Sequence, residues 1–343
     1  MSSIPIALLR TGLVTSVGMT AAASCAAIRA KLTNPSTTLF LDSAGEWIVG
    51  HSVALERPWS GRMKLVKMAV RAIEQALEGT PHEEWGAIPL LLCLAENGRP
   101  GRIEALDEEV FAGIQNELGV RFAPSSQVIA RGRVSVAAAL SAARSLIGKA
   151  AASRVLIAAA DSLLSGPTLS AYERADRLLT SRNSNGFLPG EGGAALLVGA
   201  DTGSRPRELL VCGVGFASEA ATLEAAQPLR GEGLALAIRA ALQDAGCGLR
   251  EVDLRVTDNS GEQYYFKEAA LAMLRLLRVR KEEFDIWHPA ECIGEAGAVA
   301  GLAVLIVAEA ACRKAYAPGP GILCHIANDA GERAALVLRY RVS

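Results

Sequence analysis

The stretch RADRLLTSRNSNGFLPGEGGAALLVG, residues 174–199, decides how this chain is read. Its first part is polar and rich in turn formers. It then runs through Gly190, Glu191, Gly192 and Gly193 into the apolar run 194–198. Five consecutive apolar residues without alternation read as a strand covered on both faces. Glycines directly ahead of such a strand let another backbone approach where a side chain would obstruct. A plain turn would also tolerate glycines, so the segment acquires meaning only from what surrounds it.

Working outward, strand-like and helix-like segments alternate. Residues 4–14 form an apolar run ending in turn residues, and 20–32 are Ala-rich and helical in pattern. The stretch 61–79 places apolar residues at helical spacing, and 88–95 (IPLLLCLA) is continuously apolar. Helices are expected over 102–118 and 134–147, and strands over 154–160 and 194–198. After the polar connection 201–207 the order starts again. Strands are expected at 208–216, 252–257, 284–287, 321–327 and 334–341, and helices at 231–245, 262–277 and 294–316. Each half therefore reads βαβαβαββ, with the halves placed at 1–205 and 206–343. Buried strands joined by helical crossovers imply parallel pairing with helices on both faces. The expected fold class is α/β, a duplicated architecture in five αβαβα layers, without a detectable sequence repeat. The two most apolar helices, 134–147 and 294–316, belong in the middle layer. Ala298, Gly301, Leu302 and Leu305 should then be nearly inaccessible, because a helix apolar all round is buried all round.

Composition agrees with a large core. Of 343 residues, 50% are hydrophobic and 21% charged, so little of the chain should be disordered. The formal net charge of −1 offers no basic stripe for nucleic acid or an anionic membrane. The N-terminal segment lacks the basic start of a signal peptide, and Arg10 interrupts its apolar run. Residues 296–311 are too few to span a bilayer and include Glu309. Cysteines at 25, 93, 212, 247, 292, 312 and 324 are odd in number and without a Cys-x-x-Cys pair. They read as small buried hydrophobes in a reducing, cytoplasmic setting. The histidines at 51, 82, 288 and 325 have no metal-ligand spacing. No metal or cofactor is expected. Nucleophile-elbow, P-loop and dinucleotide-binding glycine motifs are absent. The cluster Arg275, Arg278, Arg280 and Lys281 suits a helix C-terminus, or an acidic carrier protein.

The quoted stretch resembles the signature of β-ketoacyl-acyl-carrier-protein synthases of the thiolase superfamily. The match lies at Gly186, Phe187, Gly190, Glu191, Gly192 and the strand that follows. RTGLVTSVG (10–18) is similar to that family's opening strand and turn. GEAGAVAGLAVLIVAEA (294–310) and NDAGERAALVL (328–338) resemble its Gly-Ala-rich helix and closing turn and strand. The resemblance spans nearly the whole chain and implies the thiolase-like fold. It also implies a two-fold dimer made through the strand ahead of the elbow, here 127–130, either with itself or with a related synthase. An acyl carrier protein is a further implied partner.

The catalytic positions depart from that family. A cysteine at a strand-to-helix elbow and two histidines do its chemistry, the thiol activated at the helix N-terminus. The resemblance puts the elbow position at Gly132, between Arg131 and Arg133, and the histidine positions at Asn259 and Glu291. None of the three can act as the family's residue does. Ser135, one helical step in, is a nucleophile only with a base beside it, and a cap otherwise. His288 is the one histidine nearby. Asp258, Asn259, Glu262, Glu291 and His288 should converge at strand ends opposite Arg131 and Arg133. They would form either a working pocket or an internal salt-bridge plug. Three readings stay open. One is a non-condensing relative that binds acyl groups or a carrier protein, or supports a partner synthase as chain-length factors do. The second is an acyltransferase or acyl hydrolase with other catalytic groups. The third is a scaffolding dimer.

Overall fold

The computed structural model describes residues 4–203, 205 and 207–342. The first half holds β1 (Ile6–Val14), α1 (Ala21–Arg29), β2 (Ser36–Leu41), β3 (Trp47–Gly50), α2 (Gly61–Ala76), β4 (Leu90–Leu94), α3 (Leu106–Leu118), β5 (Gln127–Ala130), α4 (Ser135–Gly148), β6 (Arg154–Ser162), α5 (Gly166–Arg174) and β7 (Glu191–Ala200). The second holds β8 (Arg207–Ser218), α6 (Glu232–Ala245), β9 (Leu254–Thr257), α7 (Gln263–Leu276), β10 (Asp285–Trp287), α8 (Ala290–Ile293), α9 (Ala298–Arg313), β11 (Gly321–Ala327) and β12 (Glu332–Val342). The expected division between residues 205 and 206 falls at residue 206, outside the described residues. Among the described residues no helix is long and apolar enough to cross a membrane.

Strand order makes the duplication plain. The first half runs β1-β7-β6-β4-β5 and the second β8-β12-β11-β9-β10. With the β2–β3 hairpin, a separate two-stranded sheet, left out and the remaining strands numbered within each half, each is 1-5-4-2-3, with strands 2, 3 and 4 parallel and strand 5 antiparallel to both neighbours. The halves join where β1 pairs antiparallel with β8, Ile6 opposite Val211 and Leu8 opposite Leu209. The chain therefore has the α/β duplication expected from its pattern.

Layering follows from which faces are apolar. α2 and α3 cover the outer face of the first half, where Met68, Ile73, Leu90 and Ile114 form one core. α6 and α7 do the same for the second half, around Ile238, Leu323 and Val337. Between the sheets lie α4 and α9, which touch each other and strands of both halves. Their core unites Leu140 and Ala143 of α4, Leu302 and Leu305 of α9, Val198 of β7 and Leu336 of β12. Ala298, Leu302 and Leu305 are 0% exposed and Gly301 is buried, so the five-layer expectation holds where it was sharpest.

Several elements differ from the pattern. The hairpin β2–β3 has no counterpart in the expected scheme. β2 is exposed at almost every position, so no alternation betrays it. α5 lies in the long connection that carries the signature segment. The helix expected over 294–316 begins only at Ala298. Gly294 and Gly297, at φ +70 and +56, hold left-handed backbone that a right-handed helix cannot include.

Candidate functional site

The elbow is built by β5, a three-residue 3-10 turn over 132–134, and the start of α4. Gly132 turns the chain at φ +57. A Cβ on this residue would overlap the carboxylate of Glu96, which follows β4. The space that a nucleophilic side chain would enter thus holds the far end of the Glu96 side chain, which would have to move aside. Ser135 is fully buried. Its hydroxyl donates to the Ile129 carbonyl at 2.9 Å and accepts from the Arg131 amide at 3.0 Å. Both partners are backbone, so Ser135 ties the elbow together, and no base addresses it.

Opposite the elbow, the signature glycines place an acid. Gly190 lies so close to the Ile293 carbonyl that a side chain would collide with it. That approach lets Gly190 donate to the Glu295 carbonyl, and the Glu295 amide donate to the Leu188 carbonyl, both at 2.8 Å. Glu295, held by this short ladder, accepts from Arg133 Nη1 at 2.9 Å, from Ser260 Oγ at 2.9 Å and from the Gly297 amide at 3.0 Å. Arg133 also reaches Asp329 at 3.2 Å and Asp258 at 3.6 Å, and its guanidinium lies 4.7 Å from the centre of the Tyr265 ring. Arg177, just past α5, forms a fork with Glu262 at 2.7 and 2.8 Å and donates to Asp329 at 2.6 Å. Tyr265 donates its hydroxyl to Asp329 at 2.5 Å. Arg99 is bidentate on Asp161, whose Oδ2 also accepts from the Ala298 amide at 2.8 Å and so caps α9. What space remains among these groups is about 20 Å³, enough for roughly one water.

Burial makes this an uneven electrostatic environment. Desolvation pushes Glu295 up to about 7 despite Arg133. It raises Asp258 and Glu96 as well, with Arg133 and Arg99 opposing it. Burial would raise Asp329 too, but Arg133, Arg177 and their hydrogen bonds hold it well below the usual carboxylate range. The Arg133 guanidinium, desolvated yet faced by Glu295, Tyr265, Asp258 and Asp329, stays firmly protonated. Among the described residues no cluster of His, Cys, Asp and Glu is arranged to hold a metal ion.

Of the residues singled out from sequence, Arg133, Asp258 and Glu262 meet in this network, and Gly132 adjoins it. Arg131 is half-exposed and pairs with Glu332 through Nε at 3.1 Å. Asn259 is buried beside the cluster with its Nδ2 unpartnered. Two expectations are corrected. Glu291 does not enter the site: it is half-exposed on the short α8 and pairs with Lys31 at 2.5 Å. The acid that points inward is Glu295, four residues on and past the α8 turn, so its direction is reversed. His288 also faces elsewhere, its Nδ1 bonded to Thr257 Oγ1 at 2.8 Å and its ring against Phe266. Glu96, Arg99, Asp161, Arg177, Glu295 and Asp329 were not singled out. Arg177, Glu295 and Asp329 do lie inside the segments that carry the family resemblance, and that was the one available signal.

No family model and no curated protein matches the sequence. Solved structures match the fold over its full length. A structure described as the ishigamide ketosynthase/chain length factor superposes with a TM-score of 0.76 at 18% identity, covering 98% of this chain and 99% of that one. The complex AntDE:AntF, described as a type II PKS acyl-carrier protein with its ketosynthase bound to the hexaketide, gives 0.77 at 16% identity, with 98% and 99% covered. A ketosynthase in complex with its chain length factor from Xenorhabdus doucetiae gives 0.71 at 13% identity, with 98% of each chain covered. The chain has the thiolase-like fold of ketosynthases and their chain length factors.

Proposed function

We propose that this chain is a non-condensing, ketosynthase-like subunit that supports a catalytic synthase in the manner of a chain length factor. One observation carries the reading: where the resemblance puts a nucleophile stands Gly132, and the Glu96 carboxylate occupies the space its side chain would fill. The two arginines and four acids around Arg133 and Arg177 close the same site from the other side, which supports the plug over an acyl-binding pocket. For partnering, the terminal strand β5 is partly exposed and pairs only with β4, so one edge is open to a strand of a relative. Ketosynthase pairs with chain length factors among the structures of like fold support a heterodimer, and one complex with a carrier protein supports an encounter with that partner. Seven unpaired cysteines suit a reducing cytoplasm.

The test is chemical. Incubated with acyl-carrier thioesters and with a thiol-directed inhibitor, the chain should gain no mass at residues 130–135, by intact-mass and peptide mapping. Gly132→Cys should also stay unreactive and lose about 1–3 kcal/mol, because a non-glycine residue is strained at φ +57. The double change Gly132→Cys with Glu96→Ala removes the overlap and should restore labelling. An adduct on the unaltered chain, at Ser135 or elsewhere in the elbow, overturns the non-condensing reading.

A further inference from the structure

A second cavity, of about 300 Å³, opens between the end of α1, the end of β10 and the last turns of α9, away from the elbow network. It sits at the lower end of the range of small-ligand sites, with room for about ten water-sized groups. Ile28, Pro289 and Val307, all buried, supply apolar surface. Trp287 and Tyr316 add aromatic surface, their rings 6.0 Å apart and 27° from parallel. The two charged groups that line it, Arg29 and Lys31, are both cations. Arg29 holds its guanidinium 4.2 Å from the centre of the Tyr316 ring. It makes no hydrogen bond or ion pair with any described residue. A cation in the last turn of α1 suits the helix dipole, but that does not explain a guanidinium laid over Tyr316, just past the end of α9, with its N–H groups bonded to no described residue. Lys31 at the rim is already matched by Glu291.

His288 adds a directional donor. Thr257 Oγ1 accepts only the long 3.4 Å bond from the Asn259 amide and finds a natural acceptor for its own hydrogen in His288 Nδ1 at 2.8 Å. Donation in that sense leaves the hydrogen of the neutral ring on Nε2, which makes no hydrogen bond with a described residue. Burial lowers the basicity of this imidazole, so the ring is neutral near pH 7.

We propose that this cavity binds a small monocarboxylate with a flat apolar body, its carboxylate taken by Arg29 and its body laid on Trp287 and Tyr316. A free, ring-anchored guanidinium is the group that recognises a carboxylate with two N–H bonds. The apolar floor selects against inorganic anions, which would leave it uncovered. The proposal does not rest on the pairing argued above: the elbow could prove reactive and this cavity would be unchanged.

Isothermal titration of the full chain with sodium benzoate and, separately, with benzyl alcohol tests it. Benzoate should bind saturably, and the uncharged alcohol at least about tenfold more weakly. Arg29→Gln, at an exposed position, should weaken benzoate about tenfold and leave benzyl alcohol unchanged. Val307→Trp fills the cavity and should abolish binding of both. Should that buried substitution unfold the chain, Arg29→Gln alone still decides. Absence of saturable benzoate binding, equal affinity for acid and alcohol, or benzoate binding indifferent to Arg29→Gln each overturns the proposal.

Discussion

The two halves share one strand order, yet they bring opposite charge to the seam between them. Arg131, Arg133, Arg144 and Arg177 come from the first half and meet Asp244, Asp258, Glu262, Glu295, Asp329 and Glu332 of the second. Lys31 and Glu291 repeat the arrangement at the exposed rim. Among the ion pairs described between halves, only Arg341 with Asp201, beside the connecting segment, runs the other way. Backbone topology was duplicated without its charge, and the seam is held by two unlike means. Around α4 and α9 it is dry and apolar, and at the strand ends it is ionic and filled. Buried ion pairs add little net stability over a well-packed apolar seam, but losing one partner is costly. The ionic end therefore fixes which groups meet, while the apolar middle holds them together.

The largest expected effect breaks the ionic end. Arg133→Ala strands Glu295 and Asp258 and weakens Asp329, and should cost about 3–5 kcal/mol in chemical denaturation. A loss under about 1 kcal/mol would mean that the seam is apolar throughout. The middle has its own probe: Leu305→Ala, at a fully buried position of α9, should cost about 2–5 kcal/mol. Its cost should not vary with pH, whereas the ionic end should titrate.

Glu295 supplies that titration. Its folded value lies above its ordinary one, so its contribution to stability is present at low pH and is lost as pH rises from about 4.5 through about 7. Glu295→Gln keeps the neutral form, so stability relative to the unaltered chain should climb over that interval. Asp329 works in the opposite sense: held low, it stabilises above the ordinary carboxylate range and withdraws support as acid protonates it. Parallel stability curves for Glu295→Gln and the unaltered chain between pH 5 and 8 would remove Glu295 from the network. Smallest of all, Lys31→Ala at the solvated rim should cost under about 1 kcal/mol in the same denaturation experiment.

How much of this could be read beforehand depends on how local the signal is. The burial of α9 was legible because its own residues are apolar at every turn. The close approach at Gly190 was legible because only glycine permits it. The hairpin β2–β3 was not, since an exposed strand lacks a periodic face. At the site, Arg133, Asp258 and Glu262 could be anticipated from strand ends and the resemblance. Arg99 and Glu96 could not, because they lie outside every segment that carries the resemblance, and Asp161, the partner of Arg99, is 62 residues on. Arg177 lies inside such a segment, but nothing local shows that it meets Glu262 and Asp329, 85 and 152 residues on. Glu291 in place of Glu295 was an error of four residues across a turn whose left-handed glycines redirect the chain.

The turn at Gly132 also bears on how such a protein can change over generations. A single codon change that gave this position a thiol would meet both a left-handed backbone and the Glu96 carboxylate, and the variant would be less stable with no reactivity in return. Removing Glu96 first would leave Arg99 short of one facing acid and gain nothing by itself. Neither intermediate is favoured, so the path back to a nucleophile crosses a valley two substitutions wide. The path toward further drift at the elbow lies open.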